Sequence, residues 1–338
     1  MIIVTGATGH IGNVLVRQLL AKGEDVRVLI HNSKDITPVF GLNVDMVKGN
    51  VCNIDSLLAA FMGCDMVYHL AGVISIMPGT DKMLYRVNAA GTQNVVSACL
   101  KTGVSRLVYT SSIHAIEEPP CGTTIDESTG CNPNNVPDGY GRSKALATLA
   151  VLEGVKQGLD AVITYPTGVI GPFDYRISDM GQLIIDFLNG NMKLYTDGAY
   201  DFVDVRDVAK GVILAGEKGV KGESYILSGE QVSVHQLLSI LHETSGLRMP
   251  YLKVPAWLAR IVSAFTPFYY KLSGRKPRFT PYSINVLHSN SDISSEKAKQ
   301  QLGFSARPVK DSIADAVHWF RESGYTASPP KARPVEPS

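Results

Sequence analysis

Short apolar runs alternate with amphipathic stretches through the first half of the 338-residue chain. The runs are Met1 to Val4, Val26 to Ile30, Val44 to Val47, Met66 to Leu70, Arg106 to Thr110 and Ala161 to Thr164. Each is continuous enough to predict a strand buried on both faces. Between them, Ile11, Val14, Leu15 and Leu19 repeat at three- and four-residue spacing, and Ser56 to Phe61, Val87 to Leu100 and Ser143 to Val155 behave alike, which predicts helices. This alternation implies an α/β fold, a doubly wound parallel sheet covered by helices.

After Gly171-Pro172 the alternation loosens. Asp204 to Ala215 returns to the pattern of the first half, and from about Gly219 the character changes again. Two interleaved lobes are therefore expected: residues 1–172, rejoined by 201–216, and a smaller C-terminal lobe of 173–200 and 217–325. Within the second, Pro255 opens a helix candidate, because a first-turn proline is well tolerated. A stronger helix runs from Val309 to Ser323 and stops at Gly324. Residues 326–338 carry Pro329, Pro330, Pro334 and Pro337 with few large apolar side chains, so a disordered tail is expected there. No repeat of 20 to 50 residues is present.

Composition narrows the classes. The chain is 45% hydrophobic and 19% charged, with a formal net charge of +1, which argues against disorder and removes the basic excess that nucleic-acid binding usually needs. Five cysteines in no CxxC pair suggest a reducing cytoplasmic setting rather than a disulfide framework. No run approaches the ~18 apolar residues of a spanning helix, and the N-terminus lacks a leader pattern, so a soluble protein is expected. The eight histidines show no recognised ligand spacing, so no metal site is expected.

Thr5-Gly6-Ala7-Thr8-Gly9-His10-Ile11-Gly12 sits where the first strand hands over to the first helix. There Gly6 permits a tight turn, Gly9 lets backbone N–H groups approach a pyrophosphate, and Gly12 lets the helix pack closely. Further motifs follow in order: His69-Leu70-Ala71-Gly72, Asn88-Ala-Ala-Gly-Thr92, Thr110-Ser111-Ser112, Tyr140-Gly-Arg-Ser-Lys144 and Tyr165-Pro166-Thr167-Gly168-Val169-Ile170-Gly171-Pro172. Together they resemble the extended short-chain dehydrogenases/reductases of the NAD-dependent epimerase/dehydratase superfamily. Through the Pro-Thr-Gly-Val-x-Gly-Pro and Thr-Ser-Ser-Ile segments, they are most similar to its dihydroflavonol-reductase-like and 3β-hydroxysteroid-dehydrogenase-like members. The resemblance covers residues 1 to about 325 and implies a Rossmann sheet that binds NAD(P), with an interleaved substrate lobe.

Tyr140 and Lys144, four residues apart on a predicted helix, share one face. A nearby ammonium would lower the pKa of a phenol from ~10 towards neutrality and make it a usable acid or base. The resemblance makes Ser112, the last hydroxyl after its strand, the group that orients a substrate carbonyl, with Ser111 as fallback. His114, two residues on, either faces substrate or caps the strand. The resemblance also implies cofactor contacts at Gly6, Thr8, Gly9, His10, Ile11, Gly12, His31, Asn50, Val51, Leu70, Ala71, Gly72, Asn88, Tyr140, Lys144, Pro166, Thr167 and Val169. Asn50 stands where the family usually has an aspartate, and its amide oxygen is expected to accept from the adenine amino group.

NAD-specific sites place a carboxylate at the end of the second strand. Here that position is Ile30, followed by His31 and, further on, Lys34, so NADP(H) is favoured over NAD(H). The implied reaction is reduction of a ketone or aldehyde, or oxidation of the alcohol. Dehydratases carry Asp-Glu where this chain has Ile113-His114, and epimerases carry Arg-x-x-Asn where it has Tyr165 and Gly168. Nucleotide-sugar epimerisation and non-catalytic NAD(P) binding are the alternatives. Trp257, Phe265, Phe268, Tyr269 and Tyr270 would suit an apolar substrate, or else belong to the core or a subunit interface. By analogy, homodimerisation is expected through the Val87–Leu100 and Tyr140–Val155 helices.

Overall fold

A computed structural model describes residues 1–31, 36–74, 81–261 and 281–326. The elements run β1 (Ile2–Thr5), α1 (His10–Ala21), β2 (Val26–Ile30), β3 (Asp45–Lys48), α2 (Ile54–Phe61), β4 (Met66–His69), α3 (Asp81–Leu84), α4 (Gly91–Thr102), β5 (Arg106–Thr110), α5 (Gly139–Lys156), β6 (Ala161–Pro166), β7 (Gly168–Ile170) and α6 (Asp179–Leu188). They continue with β8 (Leu194–Thr196), β9 (Ala199–Asp204), α7 (Val205–Lys218), β10 (Ser224–Leu227), β11 (Glu230–Ser233), α8 (Val234–Ser245) and β12 (Leu252–Val254). A helical segment over 256–261 is α9, followed by α10 (Pro281–Leu287), α11 (Glu296–Leu302) and α12 (Val309–Glu322).

Seven parallel strands in the order β10-β6-β5-β4-β1-β2-β3 form the main sheet. The order reverses direction at β1, which opens a crevice between the C-terminal ends of β1 and β4, the usual ligand position in such sheets. One face is covered by α1, α7 and α11, whose Val14, Leu15, Val208, Val212 and Leu302 pack with Val4 and Val28 of the sheet. The other is covered by α2, α4 and α5 through Leu57, Val95, Ala147 and Val151. All six strands expected from the apolar runs form. β3 departs from the expectation of burial on both faces: it is the outer edge, and Asp45, Met46 and Lys48 are exposed.

A three-stranded sheet, β11-β9-β7, and the parallel pair β12-β8 lie outside the main sheet, with α6, α8 and α12 packed together. The sequence pattern assigns residues 217–325 wholly to the second lobe. β10 instead pairs with β6 and extends the main sheet, because Tyr225, Ile226 and Leu227 are fully buried there. The predicted helix over Val309 to Ser323 is α12, with Gly324 at φ +74° just beyond it. The segment predicted from Pro255 is helical over 256–261. Phe265, Phe268, Tyr269 and Tyr270, and positions 327–338 of the expected tail, lie outside the described residues.

Candidate active site

The glycine-rich turn folds tightly on itself. Gly6 has φ +76°, and a Cβ there would lie 2.6 Å from the Ala71 nitrogen, so the turn can press against the Leu70-Ala71 backbone only as glycine. A Cβ on Gly12 would lie 2.1 Å from the Gly6 carbonyl oxygen. Gly9 is the N-cap of α1, whose start has no side-chain cap and no acidic residue. Its first-turn N–H groups and the positive helix end are thus kept for an anion, which is the donor set that a dinucleotide pyrophosphate needs. Thr8, Ile11, Leu70 and Ala71 belong to this turn and its wall. His10 binds the Pro172 carbonyl through Nε2 at 2.9 Å, and Asn13 donates to the carbonyls of Gly9, His10 and Phe173. Those contacts join the turn to the segment that follows β7.

At the C-terminal end of β5 the three hydroxyl residues diverge. Ser111 Oγ lies 2.9 Å from Thr148 Oγ1 on α5, so its hydroxyl is turned into the helix. Ser112 Oγ accepts from the His114 N–H, and its hydroxyl is near enough to the Tyr140 phenol to favour the phenolate. Asp138 caps α5 by accepting from the Gly141 N–H at 2.8 Å, which fixes the start of the helix that carries Tyr140 and, one turn later, Lys144. All three of Ser112, Tyr140 and Lys144 are buried.

The electrostatics differ from the expectation that Lys144 lowers the Tyr140 pKa. Burial pushes the phenol up to about 12, with the neighbouring Ser112 hydroxyl opposing. The Lys144 ammonium donates to the Thr110 carbonyl at 2.9 Å and to the Tyr109 hydroxyl at 3.4 Å, and sits over the Tyr109 ring at 5.0 Å. Burial brings Lys144 itself down to about 7. The shared helix face therefore gives the pair its proximity, while strand β5 takes the ammonium.

Burial of Lys144 also makes stability depend on pH. The lysine binds a proton in the unfolded chain up to an ordinary value of 10.5, but in the folded protein only up to about 7. Below pH 7 the folded state carries the full cost of a buried ammonium, and between pH 7 and 10.5 that cost fades, with a slope of at most about 1.4 kcal/mol per pH unit. In the ligand-free enzyme, Lys144→Met is thus expected to have the higher Tm at about pH 6, by several degrees. The gap should close towards about pH 10. A constant gap across that range, read by scanning calorimetry, would refute the assignment.

Asn88 lies in a π-helical turn, Tyr85–Ala90, that precedes α4. Its amide accepts from Val73 N–H at 2.8 Å and donates to the Val73 carbonyl and to Ser143 Oγ, both at 2.9 Å. It therefore clamps the loop after β4 to α5, with Gly72 between it and Lys144. The Asn50 oxygen accepts from the Cys52 N–H in its own turn, and Val51 packs against Gly91. Thr167, after Pro166, pairs its hydroxyl with buried Asp201 at 2.5 Å, and Val169 lies on β7. His31 is exposed beside buried Ile30, and Lys34 lies outside the described residues.

His114 has its ring held against two tyrosines. Its Nε2 lies 3.0 Å from the Tyr200 hydroxyl, and its ring stacks on Tyr200 and meets Tyr140 edge-on. Burial holds its pKa below the usual imidazole value against Asp138 and Glu118. Tyr109 and Tyr200 escape sequence reasoning: Tyr109 reads as an ordinary buried strand residue, and no local motif marks Tyr200. His69 carries no signal of its own beyond its place in the His-Leu-Ala-Gly motif. It is fully buried, bridges Thr5 and Thr92 through its two nitrogens at 2.7 and 2.9 Å, and is held down to about 3 by burial, hence neutral.

Residues 2–228 match the model of the NAD dependent epimerase/dehydratase family. The chain is 36% identical over 324 residues to sterol demethylase protein B of Methylococcus capsulatus, covering 95% of this chain and 98% of the other. It is 31% identical over 350 residues to cinnamoyl-CoA reductase 1 of Petunia hybrida, covering 97% and 94%. The solved structure of gox2253 superposes with a TM-score of 0.85 at 31% identity, covering 97% of this chain and 99% of that one. With its sheet order, phosphate turn and hydroxyl–phenol–ammonium cluster in place, this chain belongs to the NAD-dependent epimerase/dehydratase family, the extended short-chain dehydrogenases/reductases.

Proposed function

We propose that the chain is an NAD(P)(H)-dependent oxidoreductase that reduces a ketone or aldehyde, or oxidises the corresponding secondary alcohol, with Ser112, Tyr140 and Lys144 as its catalytic set. The observation that carries this reading is the burial of the Ser112 hydroxyl beside the Tyr140 phenol, one helical turn from an equally buried Lys144. A bound nicotinamide dinucleotide supplies or accepts the hydride. Tyr140, kept protonated by burial, donates its phenolic proton to the carbonyl oxygen. The Ser112 hydroxyl orients that oxygen and steadies its developing charge. Lys144 braces the end of β5 through the Thr110 carbonyl and, on the family pattern, meets the nicotinamide ribose.

Ile113-His114 and Tyr165/Gly168, in place of the dehydratase and epimerase residues, weigh against nucleotide-sugar chemistry. The words sterol and cinnamoyl in the names of two relatives favour an apolar, ring-bearing substrate. NADP(H) is the proposed cofactor, because no carboxylate stands at Ile30 to repel a 2′-phosphate. The five cysteines are all free, in keeping with a reducing cytoplasmic setting. Exposed Leu146 and Leu149 on α5 support a homodimer built on that helix.

The test is a panel of ketones, aldehydes and secondary alcohols with NADPH or NADP, repeated with NADH or NAD, and UDP-sugars as control. Turnover of a carbonyl or alcohol with preference for the phosphorylated cofactor is expected. A strong NADH preference would overturn the cofactor choice, and interconversion of UDP-sugars would overturn the reaction.

A further inference from the structure

Trp257 is not a core residue: it is 64% exposed. In α9 the small side chains Ala256 and Ala259 are partly buried, while Trp257, Leu258 and Ile261 face outward. That polarity is the reverse of a helix packed on a protein core. The strand leading into it continues the apolar surface, since Tyr251 is 84% exposed and Leu252, also exposed, pairs in register with exposed Leu194 on β8. Interleaved with these residues are the exposed cations Lys193, Arg248, Lys253 and Arg260, of which Lys253 also pairs with exposed Asp197.

Charge identifies what the surface fits. Between Glu243 and Asp292 the sequence has seven lysines and arginines and no acidic residue, and the three of them that are described, Arg248, Lys253 and Arg260, lie exposed on or beside this face. With 32 cations and 31 anions in the whole chain, everything outside that stretch is net acidic. A second copy docking through the same face would set cations against cations, because a two-fold interface brings identical patches together. An anionic bilayer meets both halves of the pattern: headgroup phosphates take the cations, and the acyl boundary takes the outward apolar residues, with tryptophan and tyrosine at the depth they favour. Among the described residues no helix is long and apolar enough to cross a membrane, so the contact is peripheral.

We propose that the face formed by β8, β12 and α9 is a peripheral docking surface for an anionic lipid bilayer, with Trp257, Leu258 and Ile261 entering the headgroup region. This holds whatever reaction the enzyme runs. The test is co-sedimentation of the full chain with vesicles of phosphatidylcholine alone and of phosphatidylcholine mixed with phosphatidylglycerol. Binding to the mixed vesicles about tenfold tighter, weakening with added salt, is expected. Trp257→Ser combined with Ile261→Ser should lose about tenfold of that affinity. Lipids brominated on the acyl chains should quench tryptophan emission in the wild type but not in Trp257→Phe, which keeps only Trp319. Three results would each overturn the proposal: equal binding to both vesicle types, emission untouched by brominated lipid, or self-association in lipid-free buffer that the Trp257 and Ile261 substitutions abolish.

Discussion

Tyr140→Phe is expected to abolish turnover, lowering kcat by at least about 10²–10⁴-fold, the range that a positioned proton donor contributes. The substitution removes one oxygen from a buried ring and leaves the Asp138 cap and the Lys144–Thr110 contact in place. Its structural cost should therefore stay at or below about 1 kcal/mol, because Ser112 Oγ still accepts from the His114 N–H. Cofactor affinity, measured by calorimetry, should stay within a factor of about two, because the phosphate turn is untouched. Turnover retained in this variant would remove Tyr140 from the proton-transfer step, even if the protein proved to be an oxidoreductase.

The second large effect is expected at Gly12. In Gly12→Ala the new methyl group would sit 2.1 Å from the Gly6 carbonyl oxygen and 2.8 Å from its carbon, both backbone atoms that cannot swing away. The turn must open, which moves the N–H groups at the start of α1. Dinucleotide affinity should fall about a hundredfold or more, with stability down by about 1–3 kcal/mol from overpacking. Gly23 supplies the control: it has φ +81°, and a methyl group there would meet no atom within 4 Å. Gly23→Ala should cost about 1 kcal/mol of left-handed strain and leave dinucleotide binding unchanged. If Gly12→Ala binds the cofactor as the wild type does, crowding at the turn is not what the three glycines avoid.

Six strands of the main sheet were legible because each is a continuous apolar run, and such runs usually end up between two helical layers. β3 shows the limit of that rule. Val44 to Val47 reads like its neighbours, yet whether a strand has covered faces depends on its place in the sheet order, which no local pattern encodes. β10 shows the converse: Ser-Tyr-Ile-Leu lies in the irregular stretch after Gly219 and carries no pattern that sets it apart, and only β6 beside it makes it a strand. The short strands β7 and β11 and the six-residue β9 escape too, and their pairings are set by tertiary contact.

At the site, residue types at fixed spacing were readable and directions were not. The four-residue step from Tyr140 to Lys144 says that the two share a helix face. It does not say that the ammonium turns to the Thr110 carbonyl and the Tyr109 ring, a choice made by the strand packed against that face. Likewise, Ser111 and Ser112 are adjacent in sequence but point apart by the alternation of a strand end, so one meets Thr148 and the other Tyr140. The motif around Asn88 suggests a ligand contact. Its amide is engaged by Val73 and Ser143, partners that a π-helical turn brings within reach.

The position of β10 also sets an order of events during synthesis. β6 has every residue buried in the finished protein, and its outer edge is covered by β10, whose last residue is Leu227. A nascent chain emerging from the ribosome completes β6 at Pro166 and must extend through the second-lobe strands and α7 before that cover exists. Throughout that interval the growing sheet offers an apolar strand with unpaired backbone groups, the kind of edge that recruits foreign strands. The interleaved chain path thus makes the nucleotide-binding half dependent on later residues for its protection, and a fragment ending at Pro172 would carry that open edge permanently.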